Sequence, residues 1–145
     1  MKKIYYLFML LFITVACEQS LEQEESLKTP IIETNLAGNW TVSAYIDENV
    51  AFGPFTISTQ VTQDNKSLHV KDNGEFWNFQ TEAKILDFKN AFEASSALNQ
   101  ISNVETKINI LDGSIIKNDS ISFDIQFEDD ETPYGYTYTI SGRRK

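Results

Sequence analysis

"GNWTVSAYI", residues 38–46, is the stretch whose reading decides the fold. Trp40, Val42, Ala44 and Ile46 occupy every second position, with Thr41, Ser43 and Tyr45 between them. A helix presents one face about every 3.6 residues, whereas a strand with one buried face needs a period of two. The segment is therefore a strand. Working outward, the same alternation recurs. "PFTISTQV" (54–61) sets Phe55, Ile57, Thr59 and Val61 on one face, and "SLHV" (67–70) pairs Leu68 with Val70. "EFWNFQTEAKIL" (75–86) reads as a strand carrying Trp77, Phe79, Ala83 and Ile85, and "NVETKINI" (103–110) carries Val104, Thr106, Ile108 and Ile110. "SISFDIQF" (120–127) aligns Ile121, Phe123, Ile125 and Phe127, and "YGYTYTI" (134–140) aligns Tyr134, Tyr136, Tyr138 and Ile140.

Asp72-Asn73-Gly74 and Asp112-Gly113 read as turns. "NAFEASSALNQI" (90–101) is a weak strand or, at most, one short helix. Eight or nine short strands between turn signals predict an all-β fold. Most strands have one apolar and one polar face, which favours an antiparallel up-and-down barrel of about eight strands, because closure leaves no exposed edge. A β-sandwich is the alternative.

The start of the chain is different. Lys2 and Lys3 precede thirteen mostly apolar residues, Ile4 to Ala16, and Cys17 follows. Such a run is shorter than the roughly 20 residues that cross a bilayer. A basic start, a short apolar stretch and a terminal small residue predict a cleaved signal peptide over residues 1–16. Cys17, the chain's single cysteine, has no partner for an internal disulfide. "TVAC" (14–17) resembles the lipobox of bacterial lipoproteins, with Thr14 where Leu is usual; it implies acylation of Cys17, the new N-terminus. A secreted protein with a leftover thiol is the alternative. Two or more acyl chains hold a protein on a membrane where one does so marginally.

Residues 17–35 hold five glutamates and no aromatic or glycine, which reads as a flexible acidic tether to a barrel domain over 36–145. Glu22, Glu24 and Glu25 resemble the acidic signal that sends some bacterial lipoproteins to the outer face of the outer membrane. The chain's net charge is −9, and loss of Lys2 and Lys3 with the signal makes it −11. Phosphate backbones and anionic headgroups are repelled by such a molecule, so no nucleic acid is expected as a partner and the acyl chains are the expected link to the membrane.

"LAGNWTVSAY", "DNGEFWNFQTEAKI", "ILDGSIIKNDSISFDIQFEDDE" and "YTYTISGRRK" occur in an order that resembles a family of small bacterial lipoproteins. That family is described as lipid-binding and as candidate hydrolases with a lipocalin-like (calycin) barrel. The resemblance covers residues 36 to 145. "GNW" also resembles the Gly-x-Trp that opens calycin barrels, where an Arg of the last strand lies over the indole. Counting by twos from Ile140 through Gly142 reaches Arg144, so Arg144 is the expected cover for Trp40, with Gly142 leaving space beside the ring and Arg143 in solvent.

The residues offer little for catalysis. A Ser-His-Asp site needs a histidine beside an activated serine, and the chain has one histidine, His69, with no GxSxG elbow. Zinc needs several His or Cys ligands, and "FEDDETP" (127–133) lacks the spacing of a calcium loop and reads as a solvated hairpin tip. No catalytic residue, metal or cofactor is expected. The positive signal is aromatic: Trp77, Phe79, Phe123 and Phe127 are the candidate ligand-contacting residues. The expected function is a surface lipoprotein whose barrel binds a small apolar or amphipathic molecule. The alternatives are a filled barrel contacting another envelope protein or a glycan, and, third, a hydrolase.

Overall fold

The computed structural model describes residues 36–86 and 90–145. The signal segment 1–16, Cys17 and the tether to residue 35 lie outside the described residues. The element order is β1 (Gly38–Ile46), β2 (Asn49–Val61), β3 (Ser67–Asp72), β4 (Gln80–Leu86), β5 (Ala91–Leu98), β6 (Lys107–Ile116), β7 (Ser120–Phe127) and β8 (Tyr138–Arg144). Each strand pairs antiparallel with the next, and β8 pairs back to β1, so the sheet is a closed eight-stranded barrel rather than a sandwich. The core among the described residues runs from Leu36 to Ile140, so residues 36–145 hold a complete sheet and its interior.

β7 shows the period of two in full: Ile121, Phe123, Ile125 and Phe127 are buried and the residues between them are not. In two strands the parity changes midway. β6 buries Ile108 and Ile110, then Gly113 and Ile115. One extra residue at Leu111–Asp112, with Asp112 at φ 50°, moves the inner face from even to odd positions. The Asp112-Gly113 turn expected from sequence is thus a bulge in a continuous strand. A Cβ on Gly113 would strike the ring and carbonyl of Phe92, its register partner. The reversal comes later, at Lys117 and Asn118, both at positive φ (50° and 59°). β5 does the same: Phe92 and Ala94 are buried, Ser96 bulges at φ 49°, and the inner face resumes at half-buried Ala97 and, past the strand, buried Asn99. This bulged strand occupies the segment weighed as a short helix.

The barrel has two unlike ends. Links 47–48, 73–79, 99–106 and 128–137 crowd one end, hereafter the loop end. The tight turns 62–66 and 117–119 lie at the other, where the chain also enters β1 and leaves β8. Trp77 and Phe79 belong to the loop 73–79, not to a strand, and Tyr134 and Tyr136 precede β8. The amides of residues 75–78 are engaged by Asp72, as follows, which keeps them out of the ladder.

Candidate functional site

Asp72 ends β3, is wholly buried, and has the inward parity of Leu68 and Val70. Its Oδ1 accepts the Glu75 N–H (3.2 Å), and its Oδ2 accepts those of Phe76, Trp77 and Asn78, each at 2.9 Å. A buried carboxylate needs such donors, and four amides turned inward form a concave nest around it. Gly74 at φ 89° and Asn78 at φ 51° supply the left-handed corners. The Asp72 N–H to Phe79 O bond (2.9 Å) closes the loop. Asp72-Asn73-Gly74 is therefore the entry to a seven-residue loop, not a two-residue hairpin turn.

The nest pushes Phe76 and Trp77 over the barrel's open end. Phe76 meets Phe55 at 5.2 Å, Tyr138 at 5.4 Å, Phe52 at 5.5 Å and Phe127 at 6.0 Å between ring centroids. Trp77 stacks on Phe127 at 4.3 Å and 7°. Beneath them Phe79, fully buried, packs edge-on to Phe127 at 5.6 Å. Three of the four candidate aromatics, Trp77, Phe79 and Phe127, thus meet at the loop end. Phe123 does not join them; it lies deeper, against Phe92 at 5.7 Å. Phe76 makes five ring contacts and was missed, because a strand reading of 75–86 turns it outward.

Polar groups rim the cluster. Trp77 Nε1–H donates to Asp129 Oδ1 (3.0 Å), and Tyr138 O–H donates to Asp130 Oδ2 (2.9 Å). Burial, then the hydrogen bond and charge of Asp130, push the Tyr138 hydroxyl up to about 12. Burial, with help from Glu128, also raises Tyr134. Thr106 sits just before β6 and is 9% exposed, and its Oγ1 has no hydrogen-bond partner. Among the described residues no three His, Cys, Asp or Glu side chains group as metal ligands.

At the opposite end the Arg144 guanidinium carbon stands 4.2 Å from the Trp40 ring centroid, and the two residues are register partners. Arg144 also donates from Nε to Asn118 O (2.6 Å) and from Nη1 to Ala37 O (2.7 Å). Trp40 Nε1–H donates to Thr59 Oγ1 (2.9 Å), whose own proton goes to Leu36 O (2.5 Å). The room beside the ring comes from Gly38, where a Cβ would collide with the guanidinium. Gly142 instead lets β8 approach β1, since its Cβ would enter the Thr41 carbonyl and Val42 Cα. Arg143 is 80% exposed, 3.8 Å from Asp119.

His69 lies on the outer wall between its register partners Gln60 and Glu82, while Leu68 and Val70 point inward. Neither partner is the serine that a Ser-His-Asp site would need.

Among curated proteins, none matches the chain. A family model described as "Lipid-binding putative hydrolase" matches residues 24–145. An eight-stranded barrel with an aromatic end suits the first half of that description, and the match spans most of the sequence: the chain belongs to this lipid-binding family.

Proposed function

We propose that the protein is a cell-envelope lipoprotein, anchored through acyl chains on Cys17, whose barrel takes a small apolar or amphipathic molecule at its loop end. The observation that carries this reading is the aromatic assembly of Phe76, Trp77, Phe127 and Tyr138, held at the mouth of a closed barrel by the Asp72 nest. Apolar ring faces with a few fixed polar groups are what ligand sites are made of. Phe52 and Tyr136, both more than two-fifths exposed, extend the assembly into solvent. The acidic segment after Cys17 supports placement at the outer surface of the outer membrane.

The competing reading is an interaction module, and the large side chains buried in the barrel interior favour it. Native mass spectrometry separates the two. Residues 17–145 carrying Cys17→Ser, purified without detergent, should retain a co-purifying lipid-like molecule that is lost in Trp77→Ala. A chain that carries no such adduct and binds no added amphipath would leave the module reading in possession. Anchoring has its own test: the full chain should partition into detergent, and its Cys17→Ser variant should not.

A further inference from the structure

The loop end differs from the rest of the barrel in charge. Its four links carry eight carboxylates: two in 47–48, one each in 73–79 and 99–106, and four in 128–137. They contain no Lys, Arg or His. At the other end the turns 62–66 and 117–119 hold Lys66 and Lys117 against Asp64 and Asp119, and the end of β8 adds Arg143 and Arg144. Acidic loops alone are ordinary solvated surface. Here two further features accompany them.

The first is their seating on aromatic rings. Asp129 and Asp130 each accept one bond from that cluster, from Trp77 and Tyr138, and keep further lone pairs for another donor. Ring faces also attract cations. The second is the bare Thr106 hydroxyl. Asn99 N–H donates to Thr106 O (2.9 Å), so the ladder continues past β6 and Thr106 keeps the inward parity of Ile108 and Ile110. Lys107 N–H donates to Glu128 Oε2 (2.8 Å) and Glu128 N–H to Lys107 O (3.0 Å), which places Thr106 beside the start of the acidic run. A buried polar atom without a partner costs stability, and its persistence asks for a reason.

We propose that the loop end binds an amphipath with an ammonium head. Its alkyl chain lies on Phe52, Phe76 and Trp77, and its N–H groups donate to Thr106 Oγ1 and to the Asp129 carboxylate. This rests on the lipid-binding reading above and names the ligand class. A carboxylate or phosphate head would instead meet links that carry eight carboxylates, against Lys71 and Lys107 on the adjoining strand ends. The raised hydroxyls of Tyr134 and Tyr138 are in keeping with a site that resists added negative charge.

The test titrates residues 17–145 (Cys17→Ser), which contain the whole barrel, with dodecylammonium, laurate and neutral monolaurin below their micelle-forming concentrations. Butylammonium serves as the head without the chain. Tryptophan emission and calorimetry report binding. Dodecylammonium should bind at least about tenfold tighter than laurate, equivalent to about 1.4 kcal/mol. The advantage should shrink as salt rises. Asp129→Asn, whose amide oxygen still accepts from Trp77, and Thr106→Val should each weaken dodecylammonium roughly three- to tenfold. Asp129→Asn should weaken monolaurin less than dodecylammonium, because the neutral head loses no charge pairing, and Glu93→Gln on the outer wall should change nothing. Laurate or monolaurin binding as tightly as dodecylammonium overturns the ammonium preference and leaves the lipid-binding reading standing. Butylammonium binding as tightly as dodecylammonium overturns the amphipath. Failure of all three long-chain probes overturns the proposal and the reading together.

Discussion

Trp40 shows how much one side chain can fasten. Its indole is fully buried, its N–H reaches Thr59, and the Arg144 guanidinium lies over its face while bonding two carbonyls from different parts of the chain. Truncation removes the buried ring, its N–H bond to Thr59 and its contact with the Arg144 guanidinium, so Trp40→Ala should cost about 3–5 kcal/mol in denaturant unfolding. Arg144→Ala should cost less, and a double-mutant cycle should give a coupling of about 0.5–2 kcal/mol. Zero coupling would mean that the stacked geometry contributes nothing. Thr106 is the opposite kind of residue. Its hydroxyl is buried and unpartnered, so Thr106→Val, nearly the same shape, should raise stability by about 1–3 kcal/mol in the absence of ligand. A destabilised valine variant would show that the hydroxyl has a partner in the free protein.

Among elements, the loop 73–79 has the most local dependence on one residue. Four amide protons converge on the Asp72 carboxylate, so Asp72→Ala strands them and should cost about 3 kcal/mol or more. Trp77 should then become more accessible to acrylamide, with fully buried Trp40 unchanged. An unaltered quenching profile would show that ring stacking alone holds the loop. This element also marks the limit of sequence reading. β1, β7 and the second half of β2 were legible because a strand's side chains alternate and their inner faces are apolar but for Thr59. The loop was not legible, because Trp77, Phe79, Ala83 and Ile85 continue a strand's parity while the event that breaks the strand is the burial of a carboxylate one residue earlier in the ladder. β5 and β6 failed differently. A single-residue bulge shifts the inner face, so Asp112-Gly113 imitates a turn and "NAFEASSALNQI" loses its alternation. For the candidate site, composition found the aromatics, but which of them meet depended on that loop.

At the scale of the whole molecule, closure and charge act together. Tyr138 ionises near 10 in an unfolded chain and near 12 in the barrel, so between those values the unfolded state carries fewer protons. Stability from this group is intact below about pH 10 and declines as pH rises toward 12. Tyr138→Phe should flatten that alkaline limb, and tyrosinate absorbance should lose a late-titrating phenol in the variant. An identical alkaline decline in Tyr138→Phe would assign it elsewhere.

The seam between β1 and β8 has a consequence in time. Trp40 and Arg144 stand at opposite ends of the barrel sequence, 144 minus 40 or 104 residues apart, and Arg144 is the second residue from the end of the sequence. A contact between such distant segments is slow to form, because the chain must pay the closure entropy before the contact rewards it. During synthesis β1 waits without β8 until residues 138–144 have been made, so a sheet of seven strands exists before the barrel can close. Two unpaired strand edges then exist at once, each a template for joining another chain. A chain halted at Phe127 has β1 to β7 but no β8, and so has no strand with which to leave that vulnerable interval.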